Sequence, residues 1–161
     1  MLFPGLKWRG IVLSLLLASS TVHSQLKEGA WGIKADLGGS TNLGIAYCLQ
    51  PNLRLGLEIG FTSSNTPVDS SSSFTFGLAP WYYLGSSEGI SAFVGGMLGL
   101  TSISNGTSTS GFTLEGHFGA EYWFTQKFSW NGHLGLGLTS YSGGGGSRFG
   151  TFTSTGLTWF F

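Results

Sequence analysis

Apolar residues recur at every second position over most of this chain, a period that suits strands with two unlike faces and little else. Residues 53–61 show it most clearly: Leu53, Leu55, Leu57, Ile59 and Phe61 alternate with Arg54, Gly56, Glu58 and Gly60. The closing stretch follows the same rule. Leu157, Trp159 and Phe161 share one face, and Ser154, Gly156, Thr158 and Phe160 share the other. A last strand patterned in this way, ending on an aromatic, suits a sheet that closes on itself.

Eight such segments are predicted, at 30–38, 42–49, 53–61, 74–84, 90–100, 112–124, 128–139 and from 151 to the end. Pro80 is the one dissonant residue; it lacks an N–H for the ladder, so an irregularity is expected there. The connections differ in length. Those at 39–41, 50–52, 85–89 and 125–127 are short, whereas 62–73, 101–111 and 140–149 are long and rich in Ser, Thr and Gly. An even number of strands brings both ends to one side. The expected fold is all-β, an eight-stranded antiparallel up-and-down transmembrane β-barrel.

Composition says what surrounds such a barrel. Only 9% of the residues are charged, against about 25% in an ordinary soluble domain, so a water-facing surface is hard to build. After the amino-terminal stretch there is no run of about 20 apolar residues, which excludes membrane-spanning helices. The formal net charge of zero argues against nucleic acid as a partner. Cys48 is the single cysteine; it allows no internal disulfide and matches no zinc spacing.

Residues 1–24 read as a secretory signal peptide. Lys7 and Arg9 form the positive region, 11–18 the short apolar core, and Val22, His23 and Ser24 the small-residue cleavage site. The barrel domain is then 25–161. With no cysteine at the cleavage site, a lipoprotein is not expected.

Side-chain size decides which face points inward. When each hairpin is folded about its turn, directly opposed side chains lie about 5 Å apart. On the less apolar face Lys34 is then expected opposite Ala46, Asp36 and Glu58 opposite Gly44, and Arg54 opposite Cys48. His133 is expected opposite Gly119, and His117 opposite Gly135. Every large polar residue meets a small one, as a bore just wide enough to be filled by side chains requires. The face of glycines and charges is therefore the inside. Closure also pairs every backbone polar group, which lipid demands.

Short turns on one side and longer loops on the other are the rule for outer-membrane barrels, whose short turns face the periplasm. Trp31, Tyr47, Tyr82, Tyr122, Phe124, Phe128, Trp130, Trp159 and Phe161 crowd the short-turn end, as a girdle at a membrane interface would. The expected location is the outer membrane of a Gram-negative bacterium.

The chain resembles the small OmpA-like outer-membrane β-barrel family, including its OmpX-type members. The resemblance covers about 29–161. It rests on Gly-Ala-Trp-Gly-Ile-Lys-Ala-Asp-Leu-Gly at the first strand, the stretch from Phe118 to Phe128, and the terminal Leu-Thr-Trp-Phe-Phe. It implies that Trp159 and Phe161 form a signal read by the barrel assembly machinery. Full-length OmpA-type proteins carry a peptidoglycan-binding domain after the barrel; this sequence departs from that pattern, so the resemblance does not extend to a tether to the cell wall.

Lys34, Asp36, Arg54, Glu58, Glu115, His117, Glu121 and His133 form the one ionisable constellation inside. Buried charges must be paired, and by height along the strands Lys34 should meet Glu58 or Glu115, and Arg54 should meet Glu121. Eight strands leave little open bore, so the set reads as a structural plug in preference to a narrow channel for ions or small solutes. Catalysis is not expected. Some small outer-membrane barrels hydrolyse lipid A with a Ser two residues from a His on a lipid-facing surface. Here Gly119 and Gly135 stand where that Ser would be, and a nucleophile needs its base within hydrogen-bond reach. Two histidines without a third ligand make a weak metal site, so no metal or other cofactor is expected. The remaining partners are outer-membrane lipid and an extracellular ligand at loops 62–73, 101–111 and 140–149, with the barrel a monomer. The function expected is a structural or surface-interaction role through those loops.

Overall fold

The computed structural model describes residues 26–38, 41–65, 70–104, 108–143 and 146–161. The signal-peptide reading of residues 1–24 lies outside them. Eight strands run in order: β1 (Trp31–Leu37), β2 (Thr41–Gln50), β3 (Leu53–Asn65), β4 (Ser70–Ser87), β5 (Ile90–Ser104), β6 (Ser108–Thr125), β7 (Phe128–Tyr141) and β8 (Ser147–Phe160). Each pairs antiparallel with the next, and β8 returns to β1, so the sheet is a closed barrel. At the seam Ile33 stands opposite Trp159 and Ala35 opposite Leu157. The Phe161 N–H donates to the Trp31 carbonyl at 2.9 Å, and the Phe160 N–H to that of Lys127 at 2.7 Å. The last residues are thus tied to the strands on both sides.

Burial follows the alternation strand by strand. Ile33, Leu57, Phe118 and Leu134 are about half exposed on the outer wall, whereas Lys34, Arg54, Glu58 and Glu121 are buried in the bore. A girdling apolar surface of this extent has no place in water. It matches the apolar band, about 25 Å tall, of barrels that sit in lipid.

In four places the chain departs from the expected layout. In the first hairpin, Lys34 lies opposite Gly44 and Asp36 opposite Asn42, while Ala46 faces Gly32. The pairing is shifted by two residues, because β1 ends at Leu37 and Thr41 already belongs to β2, so the hairpin folds one residue earlier in the chain than expected. The inward parity is unchanged, and Gly44 now serves both Lys34 and Glu58.

Much of the three long loops is, second, sheet. β3 continues to Asn65, β4 starts at Ser70, β5 and β6 run to Ser104 and from Ser108, and β7 and β8 run to Tyr141 and from Ser147. These Ser- and Thr-rich ends are polar on both faces, so no apolar alternation marks them, yet their backbones continue the ladder beyond the apolar band.

Pro80, third, keeps its partner Leu55 on β3, but the ladder to β5 is interrupted between Leu78 and Trp81 without a change of register. The register shift falls instead between Tyr83 and Gly85. It leads into a two-residue turn in which Glu88 (φ 51°) and Gly89 (φ 84°) both take positive φ, the mirror-image geometry that suits the twist of a hairpin.

The wall, fourth, is low on one side. β1 has 7 residues, fewer than the roughly 9–11 a tilted strand uses to cross the hydrocarbon core. β8 pairs with β1 only from Thr155 onward. Among the described residues, the β1-side edge of residues 147–154 has no strand partner.

Candidate functional site: the barrel interior

The bore is filled unevenly. Towards the short-turn end it is packed with side chains, and towards the long-loop end it holds a polar cavity of about 310 Å³.

The packed half is built around Arg54 on β3 and Glu121 on β6. Arg54 Nη1 donates to Glu121 Oε1 at 3.0 Å and Oε2 at 3.3 Å. Ser129 Oγ donates to Oε1 at 2.6 Å, and Tyr83 Oη donates to Oε2. A carboxylate that is 0% exposed therefore accepts from three residues on three strands, which offsets the cost of taking it out of water. Cys48, the small residue across from Arg54, leaves room for the guanidinium. That group lies over the Trp81 ring at 4.0 Å from its centroid, where a desolvated cation is favoured. Beyond this pair Trp123 stacks on Phe160 at 5.5 Å, and Leu26 is buried in the same apolar cluster. The Gly29 N–H reaches the Cys48 carbonyl at 2.8 Å and so holds the segment before β1 against this end.

Trp81 divides the two halves. It is 1% exposed and stacks on Phe93 with centroids 4.1 Å apart and planes 16° from parallel. His117 and His133 meet its ring edge-on, each at 5.4 Å, and lie 4.6 Å from one another. Glycines make the space for these rings. A Cβ at Gly95 would come within 3.0 Å of both the Pro80 carbonyl oxygen and His117 Cδ2, and one at Gly135 within 2.7 Å of His117 Cβ.

Above Trp81, Lys34 Nζ lies 4.2 Å from its centroid and bridges two carboxylates, Asp36 at 2.5 Å and Glu58 at 2.6 Å. Glu115 sits on the cavity wall and forms no ion pair among the described residues. A row of hydroxyls runs round the bore, Thr75 to Thr101 at 3.0 Å, Thr101 to Thr113 at 2.8 Å, and Thr113 to Thr139 at 3.2 Å. Each link joins inward positions on neighbouring strands.

All eight ionisable residues singled out from the sequence therefore face the bore, in two separate groups. Arg54 and Glu121 lie in the packed half; Lys34, Asp36, Glu58, Glu115, His117 and His133 line the cavity. Sequence reasoning put Phe160 on the inward face but missed Trp81, Tyr83, Phe93 and Trp123, which with it supply most of the apolar fill. Strict alternation finds three of these. Trp123 lies between the outward Tyr122 and Phe124. With Phe76, Leu78 and Tyr82 outward, Trp81 and Tyr83 must point inward.

The arrangement offers little chemistry. His133 Nδ1 lies 3.3 Å from Asn131 Oδ1, and both ring nitrogens of His117 lack a partner, so neither histidine is bonded to a serine. Among the described residues no group of three or more His, Cys, Asp or Glu could hold a metal ion. Trp159 and Phe161 lie outside the bore, on the lipid-facing wall, where Trp159 contacts Phe128 at 5.7 Å between centroids.

No protein-family model matches the chain, and no curated protein matches it. Solved structures do. The N-terminal β-barrel domain of Pseudomonas aeruginosa OprF is 20% identical over 83% of this chain and 98% of that one, with a TM-score of 0.58. Neisserial surface protein A is 12% identical over 82% and 94%, with a TM-score of 0.63. The outer membrane protein OprG of P. aeruginosa is 11% identical over 84% and 97%, with a TM-score of 0.53. The fold is thus that of small transmembrane barrels.

Proposed function

We propose that this chain is an integral protein of the outer membrane of a Gram-negative bacterium, monomeric and non-enzymatic, with a sealed polar interior. Its short turns face the periplasm and its Ser- and Thr-rich strand ends face outside. Its role is structural or lies in surface interaction through those ends, with lipid as its constant partner. The observation that carries this reading is the packed half of the bore, where Trp81, Arg54, Phe93 and Glu121 are each at most 1% exposed and leave no water-filled path. Likeness in fold to outer-membrane proteins supports the location. The inward, serine-free placement of His117 and His133 supports the absence of hydrolase activity.

A narrow channel is the second reading, favoured by the cavity, which supplies half of a path. Planar-bilayer recordings of the refolded barrel separate the two. The sealed barrel shows no steady openings, whereas unit openings whose size changes in Glu58→Gln would overturn the plug.

The family resemblance adds a role for the carboxyl terminus. Phe161 projects outward beside Trp31, whose carbonyl its N–H engages, so its ring is free to be read by the assembly machinery. Deleting Phe161 should leave most of the protein unassembled in cells, while the purified chain still refolds in detergent and shows heat-modifiable migration on gels. Normal insertion of the truncated chain would contradict the proposed signal.

A further inference from the structure

The barrel wall has a gap on its outer side, and the register gives its depth. A line of directly paired residues that leaves Phe149 on β8 and passes through Leu138, Leu57 and Ile33 comes back to β8 at Trp159, ten residues further on. At roughly 3.3 Å per residue and a tilt of about 40°, that stretch rises about 25 Å along the barrel axis. The apolar band has the same height, so Phe149 and Trp159 lie at its outer and inner edges. β1 stops at Leu37, opposite Thr155, about 10 Å below the outer edge by the same geometry. Three residues join it to β2, too few to climb that distance and return.

β8 borders the gap. Its odd-numbered residues turn their backbone groups towards β1, as the bond from the Phe161 N–H to the Trp31 carbonyl requires. The β1–β2 hairpin abuts Thr153, because a Cβ on Gly38 would stand 2.7 Å from the Thr153 carbonyl oxygen. Above it the N–H and C=O groups of Thr151 and Phe149 face the gap with no strand partner among the described residues. Hydrocarbon cannot satisfy them. Two independent observations show what suits this edge. Thr151 and Thr153 are exposed on the outer wall, where their partners on β7, Leu136 and Leu134, are apolar. The polar cavity also reaches through the wall, since its lining includes Gly38 and the outward-facing Thr151 together with Arg148. Arg148 is the one cation at this end that is exposed and in no ion pair among the described residues.

We propose that the gap is a lateral opening into which the outer leaflet is drawn down, its occupant the polar head of a phosphate-bearing membrane lipid. The phosphate lies against Arg148, and the ester carbonyls and the water around them meet the backbone of Phe149 and Thr151 and the threonine hydroxyls. Polar walls disfavour an acyl chain. A strand from another protein would pair the same backbone but leave its own far edge bare within the leaflet. A second copy, upright in the same bilayer, would present its β8 at the opposite tilt, so the two strands would cross instead of pairing. The inference rests on the reading of the chain as an outer-membrane barrel and names where that barrel holds lipid.

The test uses the barrel refolded into dimyristoylphosphatidylcholine bilayers. Cross-relaxation should link the amide protons of Thr151 and Thr153 to choline-methyl, glycerol and water protons, and that of Leu136 to acyl-chain methylenes. Thr151→Cys should react with a charged, membrane-impermeant thiosulfonate, present on both sides of the bilayer, at least about tenfold faster than Leu136→Cys. The wild-type barrel, whose Cys48 is buried, should not react. Arg148→Gln should weaken the headgroup cross-peaks of Phe149 by about twofold or more. Should Thr151→Cys fail to fold, the wild-type cross-peaks decide. Acyl-chain cross-peaks alone at Thr151, equal thiol rates at the two positions, cross-peaks from this edge to a second copy, or undiminished headgroup cross-peaks in Arg148→Gln overturn the proposal. Heat-modifiable migration on gels keeps the two readings apart: an inserted barrel that fails these tests loses the opening and keeps its place in the membrane, whereas one that never becomes heat-modifiable loses the membrane reading itself.

Discussion

Glu121→Ala should lower the unfolding free energy of the barrel by about 3–5 kcal/mol, the usual cost of removing one partner from a buried ion pair. The alanine variant leaves Arg54 buried beside Trp81 with its counter-charge gone, and it also strands the hydroxyls of Tyr83 and Ser129. Little relaxation is available. Arg54 is 1% exposed, held between its own strand, Cys48 across the hairpin and the Trp81 face. Equilibrium urea unfolding in lipid vesicles, followed by tryptophan fluorescence, measures the loss. Replacing both partners with apolar residues of similar volume, as in Arg54→Met with Glu121→Leu, should recover much of it, because a buried pair is worth little against good apolar packing. A loss below about 1 kcal/mol in the single variant would mean that water reaches the pair.

Trp81→Ala should cost a similar amount, about 3–5 kcal/mol, as large aromatic truncations in packed interiors do. Its ring touches Phe93, both histidines, Lys34 and Arg54, so the cavity left behind has walls from several strands that cannot all collapse into it. Tyr82→Ala, one residue along but facing lipid, should cost less than half as much. The same unfolding experiment measures both, and equal losses would mean that Trp81 does not carry the interior. The contrast between the two positions rests on parity alone.

How far such positions can be read from the chain varies. Parity is local, and on β3 the alternation from Leu53 to Phe61 leaves no doubt about which side Arg54 and Glu58 take. Size matching then says which side is inside, because Gly44, Gly119 and Gly135 stand opposite the residues that need space. The partnership of Arg54 with Glu121 is less direct. They lie 67 residues apart on β3 and β6, across the bore, and only closure of the sheet makes height along the strands a meaningful coordinate.

On β4 the reading was incomplete. Ala79 to Tyr83 is apolar on both faces, so Trp81 and Tyr83 are marked as inward only by parity carried over from Phe76 and Leu78 and not by any contrast of polarity. The ends of β3 to β8 are polar on both faces and equally mute, and they passed for loops. In the first hairpin nothing in Gly38 to Thr41 says where β1 stops, and the pairing shifted by two residues while every side chain kept its face. A slip of one would have turned them all over.

Strand number, the inward ionisable set and the lipid-facing wall were determined by the sequence alone, because each follows from a period of two and from the bulk of neighbouring residues. The division of the bore into a packed half and a cavity was decided by the tertiary structure. It depends on the height at which Trp81 on β4 and Phe93 on β5 meet His117 on β6 and His133 on β7. That height is set by strand tilt and stagger around the closed ring, which no local pattern encodes.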